Sequence, residues 1–142
     1  MTDTKFQETS LPTVVEVMTA DPVAIPDDVS ASDAARLLDF YRVSGAPVVD
    51  REGEVVGVLS QINLLHALAA PPLLDAWPGL LARDLMSRPA ITVRGGTPVD
   101  EAARLMEKNH VHRLIVTAAD GRTPIGIVTA TDLVHELGEW DR

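Results

Sequence analysis

The chain has 142 residues, 46% of them hydrophobic but only 4% aromatic, with a formal net charge of −9 and no cysteine. A core at this size must be built mainly from Val, Leu, Ile and Ala, while disulfides, thiolate metal sites and cysteine nucleophiles are excluded. The acidic balance argues against a general nucleic-acid surface, which needs clustered Lys and Arg, and no apolar run of about 18 residues offers a membrane span.

Residues 1–12 read as a loose arm. Its polar start, Met1 to Ser10, lacks the basic and apolar regions of a signal peptide, so the expected location is cytoplasmic. A first repeat is expected over 13–68. After an apolar lead-in, Val14 to Met18, Ser30 with Asp33 three residues on resembles a capping box, and Ala31, Ala34, Ala35 and Leu38 form one helical stripe. Ala46 to Val49 and Val55 to Leu59, joined by Asp50-Arg51-Glu52-Gly53, read as a hairpin. Gly57-Val58-Leu59-Ser60 then turns into a last helix, Ser60 to Leu68.

Residues 69–81, with Pro71-Pro72 and Trp77-Pro78-Gly79, read as a linker holding about one helical turn. Its Leu73, Leu74, Trp77 and Leu80 call for packing, on the module itself or on a second chain. A second repeat is expected over 82–138, followed by a tail, 139–142. Thr97 is placed as its helix cap and Pro98 at the first helical position. Val99, Ala102, Ala103 and Met106 repeat the stripe, and Leu114 to Val116 with Ile125 to Val128 repeat the hairpin.

The duplication is visible residue by residue. Met18 and Met86, Ala34 and Ala102, Arg36 and Arg104, and Val48 and Val116 stand 68 apart; Gly57, Ser60 and Leu64 answer Gly126, Thr129 and Leu133 at 69. Copies of about 55–60 residues bury little surface alone, so two copies sharing one core are expected. The fold class is α+β, with two β-α-β-β-α repeats related by pseudo-twofold symmetry and two related clefts between them.

The chemistry-bearing segment is Gly126-Ile127-Val128-Thr129-Ala130-Thr131-Asp132, strand into helix. Free amides at a helix start suit a phosphate or sugar oxygen, and a carboxylate one turn in can accept from a vicinal diol. The same Thr129-x-x-Asp132 spacing is an ordinary helix cap, contributing about 1 kcal/mol with no ligand. The residues alone leave both open. Arg113 has a planar donor fork suited to phosphate, and a strand-end surface role suits it equally; for His112 the residues favour a plain surface histidine. His110-x-His112 lacks a visible third ligand, so no metal site is expected. No nucleophile elbow, P-loop or His-Glu-x-x-His is present, so no catalytic residue is assigned.

The tandem of Met lead-in, Ala-Ala-Arg-Leu helix, Gly45-Ala46-Pro47-Val48-Val49-Asp50 and Gly-x-x-Ser/Thr-x-x-Asp/Asn resembles a pair of cystathionine-β-synthase (CBS) domains, or Bateman module, from about Thr13 to Leu137. Val111-His112-Arg113-Leu114-Ile115-Val116 with Gly126-Ile127-Val128-Thr129 is similar to the nucleotide-sensing repeats of the AMP-activated kinase gamma subunit. The resemblance implies a non-enzymatic regulatory module that binds an adenosine-containing ligand (AMP, ADP, ATP or S-adenosylmethionine) between its repeats and signals to an effector protein. No required cofactor is implied. Asp132 is implied as the ribose-diol acceptor and Thr129 as a ribose or phosphate contact. Ile91, Thr92 and Val93 would frame the adenine, and His112 and Arg113 would reach phosphate.

Repeat one has Asn63 where repeat two has Asp132, and Ser44-Gly45 where it has His112-Arg113. One competent site around Asp132 and one weaker site around Ser60 and Asn63 are therefore expected. A homodimer through the last helices, using Leu64, Leu65, Leu133 and Val134, is also implied, and a non-binding adaptor that uses the pair only for dimerisation is the alternative.

Overall fold

The computed structural model describes residues 11–140; the loose arm expected at the N-terminus falls almost entirely outside the described residues, as does the end of the C-terminal tail. The elements in chain order are α1 (Val14–Val17), β1 (Thr19–Ala20), β2 (Ile25–Pro26), α2 (Ala31–Tyr41), β3 (Gly45–Val49), β4 (Val55–Ser60), α3 (Gln61–Ala69), α4 (Pro71–Asp75), a 3-10 turn (Trp77–Gly79), α5 (Ala82–Leu85), β5 (Thr92–Arg94), α6 (Val99–Asn109), β6 (Arg113–Thr117), β7 (Pro124–Thr129) and α7 (Ala130–Glu139).

Two small sheets organise them, one of order β2-β3-β4 and one of order β1-β7-β6-β5. In each, a two- or three-residue strand runs parallel to the first strand of a hairpin, β2 on β3 and β5 on β6. The hairpins β3-β4 and β6-β7 are antiparallel, each with one register shift near its turn end. The α2 and α6 stripes face inward as their spacing requires: Ala31, Ala34 and Leu38 are buried in one, Val99, Ala102 and Met106 in the other. The two helices end alike. Arg42 and His110, 68 apart, both adopt φ 55°, ψ 44°, the left-handed conformation that closes a helix C-terminus.

The lead-in segments are exchanged between repeats. Val14 of α1 is buried in the cluster with Val93, Ala102, Met106, Leu114, Val116 and Val128, all of repeat two, with Val17 and Met18 packed beside it. Conversely, Ala82 and Leu85 of α5 are buried with Ile25, Leu38, Val48 and Leu59 of repeat one. The strands do likewise: β1 pairs antiparallel with β7, and Ser87 bridges Val58 of β4 through hydrogen bonds of 2.9 and 3.0 Å. The expectation of a single shared core is thus corrected to two cores, each completed by four residues of helix from the other copy. Each sheet already has its own long helix to cover one face, so what the halves share is their edges.

Two local expectations also change. Thr97 does not cap α6: the N-cap is Pro98, with no side-chain bond, and the Thr97 carbonyl instead accepts from the Val14 amide at 2.8 Å. Repeat one keeps its cap, with Ser30 Oγ accepting from the Asp33 amide at 3.0 Å. The segment between repeats holds more order than one helical turn, since α4 and the 3-10 turn fill it, and Leu73, Trp77 and Leu80 pack on the first core. Trp77 Nε1 donates to Ser32 Oγ at 2.6 Å, fastening the linker to α2.

Candidate functional site

Each last helix begins in a reciprocal capping box. In repeat two, the Asp132 amide donates to Thr129 Oγ1 at 3.2 Å, and Asp132 Oδ2 accepts from the Thr129 amide at 2.8 Å. The Ala130 amide donates to the His112 carbonyl at 2.8 Å. The free helix start expected from sequence is therefore reduced to one amide, that of Thr131, which has no intrahelical acceptor. The remaining polar group is the outer carboxylate oxygen of Asp132, Oδ1, which has no partner among the described residues. Asp132 lines a cavity of about 440 Å³ with Glu16, Val17, Thr131, His135 and Glu136. Glu16 is itself held by Thr13, whose backbone amide and hydroxyl keep its carboxyl below the ordinary value.

Repeat one has the same box with a different outcome. Asn63 Oδ1 accepts from both the Ser60 amide at 2.8 Å and Ser60 Oγ at 3.0 Å, and the Asn63 amide donates to Ser60 Oγ at 3.3 Å. The side-chain nitrogen then donates to Ser87 Oγ at 3.0 Å. Asn63 is thus tied at both ends, whereas Asp132 is tied at one. Thr19, the counterpart of Ser87 at the spacing of 68, makes no such bond to Asp132.

The basic pair lies with repeat one. Arg113 pairs in register with Thr129 as a strand residue, but its side chain crosses to the other repeat, where Nη1 donates to Ser44 Oγ at 3.1 Å. It rests over Gly45, where any Cβ would collide with the guanidinium. Arg113, His112 and Ile91 line a cleft of about 210 Å³ together with Ser60, Asn63 and Ser87. Burial pushes the Arg113 guanidinium below its ordinary value, yet an arginine stays charged in proteins. Among the described residues no carboxylate pairs with it; the ion pairs formed are Arg36–Asp33, Arg104–Asp100 and Arg122–Glu54.

The residues singled out from sequence are therefore divided. Ser60, Asn63, Ile91, His112 and Arg113 come together, while Thr129 and Asp132 stand at the other helix start. Of Ile91, Thr92 and Val93, expected to frame the adenine, Ile91 lines the Asn63 cleft, while Thr92 and Val93 are β5 residues paired to Ile115 and Val116, with Val93 buried in the second core. The exchange of lead-in segments is the cause, because it carries the residues just after Met86 to the first repeat's sheet. Ser87, Ser44 and Gly45 are the participants that sequence reasoning passed over as partners. For Ser44 and Gly45 the signal was positional, since they stand opposite His112 and Arg113 of the other copy; Ser87 stands opposite Thr19 and carried no such signal.

A protein-family model described as CBS domain matches residues 14–70 and 82–139. Among solved structures, the CBS domain pair of protein MJ0100 in complex with 5′-methylthioadenosine and S-adenosyl-L-methionine is 26% identical, with a TM-score of 0.81 over 92% of this chain and 99% of that one. CBSX2 in complex with AMP is 31% identical, with a TM-score of 0.77 over 92% and 99%, and the CBSX2 structure from Arabidopsis thaliana is 32% identical, with a TM-score of 0.76 over 92% and 96%. An uncharacterised protein of Methanocaldococcus jannaschii, MJ1426, is 28% identical over 82% of this chain and 86% of its own length. The L-aspartate semialdehyde sulfurtransferase of the same organism is 26% identical, but the chain spans only 25% of it. With two matches that together take in most of its length, in the order and spacing of its internal duplication, the chain belongs to the CBS domain family as a tandem pair.

Proposed function

We propose that this CBS pair is a regulatory module that binds an adenosine-containing ligand and transmits the resulting change in repeat orientation to a partner protein. The observation that carries the reading is the divided carboxylate of Asp132: one oxygen caps α7 and the other is free to accept from a ribose hydroxyl. The complexes of related pairs with AMP and with S-adenosyl-L-methionine and 5′-methylthioadenosine support the ligand class. Signalling then requires only that the ligand favour one arrangement of the repeats over another. No catalytic step is assigned, since the residues gathered in the clefts form neither a nucleophile-base pair nor a metal set.

Thermal melting with AMP, ADP, ATP, S-adenosylmethionine and 5′-methylthioadenosine tests it. A ligand at about 100 times its Kd adds roughly 2.7 kcal/mol to the native state, a rise of several degrees. Asp132→Asn should keep the cap, as Asn63 does in repeat one, and reduce the rise. No rise with any of the five in the unaltered protein overturns the reading.

The adaptor reading has one observation in its favour, an apolar outer face on the two last helices. Ile62, Leu65 and Leu68 of α3 and Val134 and Leu137 of α7 are exposed. Leu64 and Leu133, expected in a dimer contact, instead pack against the two cores. A homodimer joined by these faces is proposed alongside ligand binding, with Leu65 and Val134 kept from the expected set and Ile62, Leu68 and Leu137 added.

A further inference from the structure

We infer that the α6–α7 face of repeat two carries a docking slot for a partner protein, and that its occupant is a tryptophan flanked by basic residues. The inference does not depend on which ligand the clefts take.

The internal duplication shows what such a slot takes. In repeat one the linker covers the α2–α3 face: Leu73 and Trp77 pack on the first core, and the indole donates to Ser32 Oγ. The chain enters both repeats by the same route. The Ala31 amide donates to the Leu80 carbonyl at 2.8 Å, and the equivalent Val99 amide donates to the Pro12 carbonyl at 3.0 Å. Beside that entry, repeat two has a cavity of about 200 Å³ walled by Val99 and Ala103 of α6, Leu133 and Leu137 of α7, and Trp140. Asp100, the counterpart of Ser32, lines it too. At the spacing of 68, Leu73 and Trp77 correspond to Lys5 and Thr9, so the sequence carries no large apolar side chain at either position. Phe6 corresponds to Leu74, which is 45% exposed in the linker.

The rim selects the partner. Where repeat one has Ser32 and Ala67, the slot presents Asp100 and Glu136. Asp100 shares its Oδ2 with Arg104 at 3.3 Å, and a carboxylate accepts an indole N–H more strongly than a hydroxyl does. Two carboxylates beside an apolar slot, on a chain of net charge −9, complement a basic segment and repel an acidic one. The Trp140 ring adds a face for a Lys or Arg of that segment, and tryptophan is among the commonest interface anchors. The volume lies under the ~300 Å³ at which small-molecule pockets begin, which suits one large side chain rather than a whole ligand.

Fluorescence polarisation of the full chain with a labelled, amidated Lys-Lys-Trp-Lys-Lys peptide tests this, beside two counterparts, one with Ala in place of Trp and one with Glu in place of every Lys. The parent peptide should bind at least about 10-fold more tightly than either counterpart and weaken as salt is raised. Asp100→Ser with Glu136→Ala restores the residues of repeat one; this variant should keep the preference for Trp and lose the preference for Lys over Glu. Ala103→Leu, which narrows the slot from α6, should remove the preference for Trp, and a melt of each variant confirms that it is folded. No binding of the parent peptide up to about 1 mM, an alanine peptide that binds as well as the parent, or preferences unchanged in the variants overturns the inference. So does binding that appears only in Phe6→Ser, which assigns the slot to the chain's own N-terminal arm, or a peptide that splits a dimer of the chain, which assigns it to a second copy.

Discussion

The Met86 sulfur occupies the space that a side chain on Gly57 would need. A Cβ built on Gly57 would lie 2.5 Å from Met86 Sδ and 2.8 Å from the Ser87 carbonyl oxygen. At the counterpart, Gly126, the atoms in the way all belong to the Met18 side chain. The two glycines are equivalent in sequence, yet one faces a backbone atom and the other a flexible thioether that can repack.

Gly57→Ala should therefore cost more than Gly126→Ala. For Gly57 the overpacking penalty is expected at about 1–3 kcal/mol, with Gly126 toward or below its lower end. Urea denaturation of the two variants measures the difference, and equal losses would show that Ser87 yields as readily as Met18.

Removing the bond between Trp77 and Ser32 should loosen the linker without unfolding either core. Ser32→Ala leaves the indole packed on the first cluster and deletes only the acceptor at 2.6 Å, so about 0.5–1.5 kcal/mol is expected. Trp77→Ala also removes the half-buried ring from the first cluster and should cost more, about 2–3 kcal/mol. Chemical denaturation ranks them; a Ser32→Ala loss as large as that of Trp77→Ala would mean that the hydrogen bond, and not the ring, holds the segment.

What could be read from the chain depended on how local the cause was. The Ala31, Ala34, Leu38 stripe, the Ser30 cap and the two hairpins arise from spacing within ten or so residues, and the duplication doubled each signal. Exchange of the lead-in segments was invisible because Met18 and Met86 carry equivalent local patterns whichever sheet they join, and the 68-residue spacing is the same with or without the exchange that sets Met86 on Gly57 and Met18 on Gly126. Thr97 illustrates the same limit. Its sequence position suits a cap, but the Val99 amide that a Thr97 hydroxyl would accept from donates instead to the Pro12 carbonyl at 3.0 Å. For the clefts, the Asn63 and Asp132 asymmetry was legible as a change of charge, whereas the direction of Arg113 was not, since it depends on Gly45 and Ser44 some 69 residues away in the chain.

Acid should act on the β6-β7 turn. Asp120 accepts from the Thr123 hydroxyl at 2.6 Å and from the Thr123 and Arg122 amides at 2.9 and 2.8 Å, which together hold its carboxyl down at about 2. A folded-state value below the unfolded one means that the stabilisation is complete above the ordinary carboxylate range and is lost as pH falls from about 4 through about 2. The group is exposed, so the effect is modest. Tm measured across this window should fall less steeply for Asp120→Ala than for the unaltered protein, the two curves converging toward about pH 2. Parallel curves would remove Asp120 from the acid response.

Charge placed on the outer face of the last helices should separate a dimer. Leu65 of α3 is 57% exposed and Leu137 of α7 is 65% exposed, and a closed two-fold pairing would set each patch against its equivalent on the second copy. Leu65→Glu with Leu137→Glu introduces like charges into that contact while leaving Leu64 and Leu133 in the cores, so stability of the single chain should change by no more than about 0.5 kcal/mol. Loss of central interface anchors costs about 2 kcal/mol or more each, a weakening of at least about 30-fold in self-association. Sedimentation velocity over a concentration series reads both proteins. An unaltered chain that remains monomeric throughout would remove the dimer, and a double variant that dimerises as well as its parent would place the contact elsewhere; either leaves these leucines as surface residues only.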